Sequence, residues 1–289
     1  MATIRETLQQ THGNLESVGI PDARLESEVM VMNVMRMPRQ DLFSHQEDGV
    51  NAQQERELAQ IVERRLKREP LAYILAYKEF YGVNLLVNSD VLIPRPETET
   101  MVEHALFMAL MGMETTELVI ADVGTGTGAI AINLAIHLPA ARIYAIDAAD
   151  AVLDVASHNI RAHNVADRIK LAKGDLLEPL PEPVDLIVAN LPYIPTSRIP
   201  TLQPEIQWEP SAALDGGDDG LDLIRRLMSQ APDKLKENGI ILLELDPEQV
   251  PAVEELSRQL FPEATTSIEQ DLAHRDRVFV INRAGEEGY

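Results

Sequence analysis

Asp122-Val123-Gly124-Thr125-Gly126-Thr127-Gly128 is the stretch of the chain that decides the fold. An apolar run rich in β-formers, 117–123, leads into it, and a good helix former, 129–138, follows it. These patterns predict that the glycines occupy the turn between a strand and a helix. A strand, a glycine turn and a helix in this order open a doubly wound sheet, so the chain is predicted to have an α/β fold.

The glycine loop also predicts a nucleoside ligand. Gly124 and Gly126 allow left-handed backbone angles and a close approach of the ligand, because they carry no Cβ atom. A nicotinamide fingerprint needs its third glycine one residue later and receives a pyrophosphate at the helix N-terminus. Asp122 would repel a pyrophosphate but suits a cationic sulfonium or α-amino group, so S-adenosylmethionine fits better than a dinucleotide. The loop residues predicted to bind it are Asp122, Gly124, Thr125, Gly126, Thr127 and Gly128.

Two further predicted strands end near acidic residues. The strand 141–146 leads to Asp147, about 20 residues past the loop, where this fold places a carboxylate on the ribose hydroxyls. The alternative is that Asp147 caps the following helix. The strand 168–172 leads to Asp175 and Leu176, where a carboxylate would meet the adenine amino group, although Gly-Asp is also an ordinary turn.

A fourth predicted strand, 184–189, delivers Asn190-Leu191-Pro192-Tyr193 to the same edge of the sheet. An amide nitrogen attacks poorly because its lone pair is delocalised. If the Asn190 side-chain oxygen and the Leu191 carbonyl accept its two hydrogens, the lone pair points at the methyl group. Placement to about 3 to 3.5 Å can remove roughly 7 to 11 kcal/mol from a bimolecular barrier. Asn190, Pro192 and Tyr193 are therefore the predicted catalytic residues, with Asn190 also next to the donor; the alternative is an ordinary Asn-Pro turn.

Several segments of the chain resemble one family. Leu92-Ile93-Pro94-Arg95-Pro96-Glu97-Thr98-Glu99 resembles the segment ahead of the catalytic domain in release-factor glutamine N5-methyltransferases. Residues 190–193 stand where that family has Asn-Pro-Pro-Tyr. That turn is shared with adenine N6-methyltransferases, whereas the Ile-Pro-Arg-Pro-Glu-Thr-Glu segment is not. Further segments similar to the family are 209–210, 213–214, 216–222 and 271–277.

The resemblance implies a class I S-adenosylmethionine-dependent methyltransferase sheet with a small N-terminal all-helical domain and a β-hairpin linker. It implies that the acceptor is the glutamine amide in the Gly-Gly-Gln loop of class 1 peptide release factors. Arg95 and Glu97 are then expected to bind this substrate together with Asn190, Leu191, Pro192 and Tyr193.

The chain departs from the family pattern at two positions. Leu191 stands where the family has proline, and Asp246 stands where it has glycine. A carbonyl acceptor survives the first change, so activity is expected. The effect of Asp246 on the pocket does not follow from the sequence.

The domain organisation follows from the change in pattern along the chain. Residues 1–75 alternate helical patterns with short breaks and are predicted to form a small all-helical domain, and the resemblance implies that this domain binds the protein substrate. Residues 76–94 are predicted to form a β-hairpin linker around Gly82, and residues 95–289 a Rossmann-like methyltransferase domain. The basic run 64–68 is interpreted as a solvated helix end, where cations suit the helix dipole.

Composition limits the classes of partner that the protein is expected to bind. The chain has 289 residues with a net charge of −22, and proteins that bind nucleic-acid phosphates normally carry a basic field. It has 0 cysteines, which fits a reducing compartment, and no signal peptide, membrane span or metal motif is recognised. A cytoplasmic monomer without metal, membrane or direct nucleic-acid contact is therefore expected, and the resemblance implies that its protein partner is a class 1 release factor.

Three functions from different classes remain open at this level. The first is methylation of release-factor glutamine. The second is methylation of ribosomal-protein glutamine or of nucleic-acid adenine at N6. The third is non-catalytic binding of S-adenosylmethionine, because the turn reads Asn-Leu-Pro-Tyr.

Overall fold

The computed structural model describes residues 2–111 and 117–285. Met1 of the first predicted domain, and residues 112–116 and 286–289 of the last, lie outside the described residues. These residues form two compact units. The first ends at Ala76 and also takes in Gln203–Trp208. The second begins at Tyr77, runs to Leu202 and resumes at Glu209.

The first unit is built from helices. Side-chain caps start two of them: Thr3 accepts from the Glu6 N–H and Asn51 from the Gln54 N–H, and each forms a reciprocal capping box. The apolar faces of the helices bury a common core that includes Ile4, Leu15 and Met30. Its helices are α1 (Ile4–Ser17), α2 (Ala23–Met35), α3 (Arg39–Ser44), α4 (Ala52–Leu66) and α5 (Leu71–Leu75).

An ionic cluster in this unit corrects the interpretation of the basic run. Arg65, predicted to be solvated, has only 3% of its side chain exposed. Its guanidinium group binds both oxygens of Glu26, at 2.6 and 3.1 Å, and lies 2.9 Å from Glu205 Oε1. Arg68 lies 2.9 Å from the second oxygen of Glu205. Arg65 is therefore a buried cation in the last turn of α4, and it joins α2 to the segment Gln203–Trp208.

The second unit holds a seven-stranded mixed sheet with the strand order β5-β4-β3-β6-β7-β9-β8. The pairs among β3 to β7 are parallel, and β9 is antiparallel to both β7 and β8. The predicted doubly wound fold is confirmed. Its strands are β1 (Tyr77–Phe80), β2 (Val83–Leu86), β3 (Val119–Val123), β4 (Arg142–Asp147), β5 (Ile169–Lys173), β6 (Val184–Ala189), β7 (Leu235–Glu244), β8 (Thr265–Gln270) and β9 (Asp276–Asn282). Its helices are α6 (Pro96–Met111), α7 (Ala129–His137), α8 (Asp150–Ala162), α9 (Asp222–Lys234) and α10 (Val250–Leu260).

The sheet buries both faces. Alternate residues of β3 point to opposite sides, with Ile120 in a core shared with α6, α7 and α8. Val119 and Ala121 belong to a second core, which α9 and α10 cover. Burial on both faces explains why the strands are almost continuously apolar.

The order in which the strands are connected indicates which edge of the sheet binds a ligand. From β3 the chain moves to β4 and then to β5 on one side, whereas β6 returns to the other side of β3. The strand order therefore reverses at β3. Open α/β sheets bind ligands beside such a switch point, outside the carboxyl ends of the strands.

The small hairpin of β1 and β2 is also confirmed. Tyr81 and Gly82 both have positive φ angles, 46° and 75°, which a two-residue hairpin turn of the primed type requires. Asn159 of α8 holds the hairpin, because its side chain exchanges two hydrogen bonds with the Leu86 backbone. The same amide donates to the Thr127 carbonyl at 2.9 Å, so one side chain ties the hairpin to the glycine loop.

Arg65→Ala is expected to lower the free energy of unfolding by about 3 kcal/mol, because it leaves the carboxylates of Glu26 and Glu205 without their buried partner. Denaturant unfolding measures the loss. The matched control is Arg64→Ala on the same helix, whose side chain is 46% exposed and pairs with Glu69. That change is expected to cost about 1 kcal/mol or less. Equal losses in the two variants would contradict the structural role of the buried cation.

Candidate active site

A cavity of about 440 Å³ lies at the carboxyl edge of the sheet, which is within the usual size of a small-molecule site. It is formed where β3, β4 and β6 end and where the segment ahead of α6 passes over them. Among the described residues, most of those predicted from the sequence line it. They are Gly124, Thr125, Gly126, Thr127, Asp147, Asp175, Leu176, Asn190, Leu191, Pro192 and Arg95.

Four predicted site residues do not line this cavity. Gly128 begins α7 with a φ of 81° and faces Ile132 and Ala156 instead. Glu97 is exposed at the start of α6. Asp122 and Tyr193 lie beneath the site, where their side chains hold other groups.

The glycine loop turns back on itself at the end of β3. Gly124 and Gly126 have φ angles of 72° and 56°, a region that favours glycine. The N–H groups of Gly124 and Thr125 both donate to the Ile146 carbonyl at 2.9 Å. The loop is therefore anchored to the end of β4 and presents its backbone to the cavity.

Asp122 supports this loop from below. It is fully buried, and its Oδ2 accepts from the Thr125 hydroxyl at 2.6 Å and from the Ala131 N–H at 3.1 Å. Its Oδ1 has no hydrogen-bond partner among the described residues. Burial raises the pKa of Asp122 to about 6, against the lowering effect of these hydrogen bonds. In this structure the carboxylate shapes the turn and does not face the cavity.

Asp147, the last residue of β4, does face the cavity. Its carboxylate accepts from the Gly126 N–H at 3.2 Å and from the Ala149 N–H at 3.3 Å. Burial raises the pKa of Asp147, and these backbone hydrogen bonds oppose the shift. The N-cap of α8 is Ala149, so Asp147 is not the cap residue. Its position at the cavity wall fits the predicted ribose contact.

Asp175 and Leu176 follow β5 on the far side of the cavity. Asp175 forms an ion pair with Arg226 of α9. Leu176 has a φ of 52° and is buried against the sheet. This left-handed residue turns the chain so that both side chains reach the cavity wall.

The Asn-Leu-Pro-Tyr turn follows β6. The Asn190 Nδ2 donates to Thr98 Oγ1 at 2.9 Å, which leaves the Asn190 carbonyl oxygen as the free end of the amide. Leu191, at the family's proline position, is buried, and its Cδ2 lies 3.0 Å from where a Cβ atom on Gly124 would be. The leucine side chain therefore packs on the glycine loop, and the backbone carbonyl is kept.

The turn rests on the segment 216–222, one of those similar to the family. A Cβ atom on Gly220 would lie 2.1 Å from the Tyr193 carbonyl oxygen, so only glycine allows this contact. The Gln249 side chain donates to the same carbonyl at 2.8 Å and to the Asp219 carbonyl at 3.1 Å. Backbone contacts on this side fix the path of the turn.

Tyr193 points away from the cavity, and its hydroxyl donates to Glu244 Oε1 at 3.0 Å. Burial and the Glu244 charge raise the pKa of Tyr193. Burial also raises the pKa of Glu244, against the hydrogen bonds from Thr98 and Tyr193. The catalytic and substrate-binding roles predicted for Tyr193 stay proposals.

Arg95 lines the cavity and is held by a buried acid. Its guanidinium group forms an ion pair with Glu209, whose side chain is only 1% exposed. Glu209 also accepts from the Ile93 N–H at 3.1 Å. One carboxylate thus fixes both the backbone and the cation of the segment ahead of α6.

The second departure from the family pattern is accommodated locally. Asp246 has a φ of −74°, which requires no glycine. Its carboxylate caps the turn Pro247–Gln249 through the Glu248 N–H, at 3.2 Å. The other carboxylate oxygen lies 2.9 Å from Arg198, in the loop that follows the Asn-Leu-Pro-Tyr turn.

Three supporting residues were not predicted as site residues. Thr98 and Glu209 lie in segments that resemble the family, but the sequence does not indicate which residues they contact. The sequence does not indicate the role of Asn159, because an asparagine side chain within a helix usually faces solvent. A tertiary contact defines each of these roles.

Other site types are absent from the part of the chain that the structure describes. No group of three or more His, Asp or Glu side chains within 2–111 and 117–285 is arranged to hold a metal ion. Among the same residues, no helix has the length and apolarity that crossing a membrane requires.

The residues present fit S-adenosylmethionine. A glycine turn in left-handed conformation lets a nucleoside approach the backbone, and Asp147 offers a carboxylate at the wall. The partly apolar lining, with Ile130, Val152 and Leu223, suits the adenine and thioether portions.

Comparison with protein families gives two matches. Residues 6–75 match the model described as the PrmC N-terminal domain. Residues 100–206 match the model described as ribosomal protein L11 methyltransferase (PrmA). The helical unit and the sheet unit are thus each similar to a methyltransferase component.

Curated relatives match nearly the whole chain. The release factor glutamine methyltransferase of Moorella thermoacetica is 38% identical over 98% of this chain and 100% of its own length. That of Geobacter sulfurreducens is 40% identical over 84% of both chains. That of Deinococcus radiodurans is 33% identical over 98% of this chain and 99% of its own length.

Solved structures support the fold. The catalytic domain of hMettl16, in complex with an RNA hairpin, has a TM-score of 0.58 at 16% identity and covers 78% of this chain and 82% of that one. A methyltransferase from Pyrococcus furiosus has a TM-score of 0.54 at 15% identity, over 76% and 98%. These likenesses confirm a class I methyltransferase fold.

Identity above 30% over nearly full length, together with the N-terminal match and the fold, decides the assignment. The chain is an S-adenosylmethionine-dependent methyltransferase and belongs to the release factor glutamine methyltransferase family.

Proposed function

We infer that this enzyme methylates the side-chain amide nitrogen of the glutamine in the Gly-Gly-Gln loop of class 1 peptide release factors. The observation that carries the proposal is the Asn190 amide, whose nitrogen is bound by Thr98 while its oxygen is left for the cavity. Asn190 and the glycine loop line the same cavity, where the methyl donor is expected. Family membership supports the identity of the substrate.

The turn would activate a poor nucleophile by orientation. Asn190 Oδ1 accepts one N–H of the substrate amide and the Leu191 carbonyl accepts the other. These two bonds would fix the amide plane so that the nitrogen lone pair, which is perpendicular to that plane, points at the methyl group, and one amide proton leaves after the transfer. S-adenosylmethionine supplies an electrophilic methyl group when bound. Because the amide is held in place, a large part of the entropic barrier is removed before reaction.

Donor binding is assigned to the opposite wall of the cavity. Asp147 receives the ribose hydroxyls, and Asp175 with Leu176 flanks the adenine. The glycine loop supports the nucleoside through its backbone, and Asp122 holds the loop in shape. Gly128 contributes only as the first residue before α7.

Substrate binding is assigned to the rim of the cavity and to the helical unit. Arg95 lies at the wall with its partner Glu209. Pro192 keeps the turn extended, Tyr193 anchors it, and the exposed Glu97 is free to meet the protein substrate. The domain limits of 1–75, 76–94 and 95–289 remain part of this proposal, with the helical domain holding the release factor.

The enzyme is proposed to work as a cytoplasmic monomer on a protein partner. The net charge of −22 supports a substrate other than nucleic acid, because a phosphate-binding surface needs excess cations. The match of residues 100–206 to a ribosomal protein methyltransferase model keeps one second candidate, a ribosomal-protein glutamine.

Mass spectrometry tests the substrate. Incubation of the enzyme with S-adenosylmethionine and a purified class 1 release factor is expected to add one methyl group to the glutamine of the Gly-Gly-Gln loop. A ribosomal protein fraction and an adenine-containing RNA are incubated in parallel. Methylation of either, with the release factor unmodified, would overturn the proposed substrate while the methyltransferase assignment stands.

Asn190→Ala is expected to reduce turnover on the release factor by on the order of 100-fold, because the amide loses its orientation. The dissociation constant of S-adenosylmethionine, measured by calorimetry, is expected to stay within about threefold, since the donor wall is unchanged. Turnover within about twofold of the parent enzyme would remove Asn190 from the catalytic role.

Asp147→Ala is expected to weaken S-adenosylmethionine binding by roughly 10- to 100-fold, since hydrogen bonds to a charged acceptor contribute about 1.5 to 3 kcal/mol. Calorimetry gives the dissociation constant directly. Asp150→Ala is the matched control, because Asp150 is exposed, pairs with Lys173 and does not line the cavity. An unchanged constant in Asp147→Ala would restrict this residue to the shape of the turn.

A further inference from the structure

A buried carboxyl group lies behind the catalytic turn, and orientation of the substrate amide does not by itself require it. Glu244, the last residue of β7, is only 2% exposed. Its Oε1 accepts from the Tyr193 hydroxyl at 3.0 Å, and its Oε2 has no hydrogen-bond partner among the described residues. Burying such a group costs stability unless hydrogen bonds or a paired charge compensate for its lost hydration.

Glu244 is linked to Asn190 by one hydroxyl group. Thr98, at the start of α6, accepts from the Asn190 Nδ2 at 2.9 Å. The Thr98 hydroxyl also hydrogen-bonds Glu244.

The Glu244 carboxyl group, at the end of this chain of hydrogen bonds, determines which group donates in each bond. A hydroxyl has one proton to give. An ionised carboxylate can only accept, so Thr98 must donate its hydroxyl proton to Glu244. The Thr98 oxygen can then only accept from its other neighbour. Asn190 must therefore turn its NH2 group toward Thr98 and its carbonyl oxygen away.

The opposite orientation of Asn190 would disable the turn. The NH2 group would then face the N–H groups of the substrate amide, donor against donor. The two amide orientations have almost the same shape, so packing alone distinguishes them poorly. The hydroxyl and the carboxyl group behind it supply the distinction.

We propose that Thr98 is a positioning residue, directed by Glu244, that fixes the amide orientation of Asn190 so that its oxygen receives the substrate. The proposal rests on the proposed function and deepens it. It gives a physical reason for the threonine in the Arg-Pro-Glu-Thr-Glu segment.

The kinetic test compares three threonine variants with the release factor as substrate. Thr98→Val keeps the shape and removes the hydroxyl, Thr98→Ser restores the hydroxyl, and Thr100→Val is the matched control. Thr100 is on the same helix and similarly buried, at 8% against 5%, but does not line the cavity. Thr98→Val is expected to lower kcat on the order of 10- to 100-fold with the donor dissociation constant unchanged.

Thr98→Ser is expected to recover most of kcat, and Thr100→Val to keep it. The proposal is overturned if Thr98→Val turns over at nearly the parent rate. It is also overturned if donor binding falls in step with kcat, or if serine recovers nothing, because these results describe a residue that only supports the fold.

A measurement without any acceptor substrate separates this proposal from the proposed function. The side-chain NH2 resonances of Asn190 are assigned by their loss in Asn190→Ala. In the parent and in Thr98→Ser, one of these protons is expected to exchange slowly with solvent, and in Thr98→Val both should exchange fast. Equal exchange in all three proteins would overturn the proposal, whatever the release factor shows. If the parent leaves the release factor unmodified while the exchange pattern holds, only the proposed function fails.

Discussion

The parallel pairing of β3 with both β4 and β6 is the constraint on which the site depends. In this register Val123 lies beside Ile146 on one side and Ala189 on the other. The next residues along the chain after these three, Gly124, Asp147 and Asn190, therefore lie at one level of the sheet edge. A slip of one residue in either pair would move side chains to the opposite face and separate the glycine loop from the Asn-Leu-Pro-Tyr turn.

Beneath this edge, the structure uses buried acids as supports. Asp122 holds the glycine loop, Glu209 holds the segment with Arg95, and Glu244 holds Tyr193 and Thr98. Each accepts hydrogen bonds from two other groups of the chain. Such contacts are rigid because an unpartnered donor in the interior is costly. Buried polar groups therefore support the cavity from below, while its wall is partly apolar.

The fold and the edge of the sheet follow from the sequence, because local patterns determine them. A glycine turn after an apolar strand predicts its own geometry, and parallel strands bring Asp147 and Asn190 to one edge. The direction of a side chain within a turn is not local in this sense. Asp122 was expected to face the ligand and instead lies below the loop, where Thr125 and Ala131 bind it. The burial of Arg65 depends on Glu205, which lies far along the chain, so the basic run alone could not predict it.

Asp246 shows how a residue that departs from a family pattern can acquire a structural role. Its carboxylate caps the turn that presents Gln249, and it is also the partner of Arg198 in the loop after the Asn-Leu-Pro-Tyr turn. Glycine at this position would remove the cap and leave the arginine without this counter-ion. One side chain thus couples the two segments mechanically, so disorder introduced in one of them is expected to spread to the other.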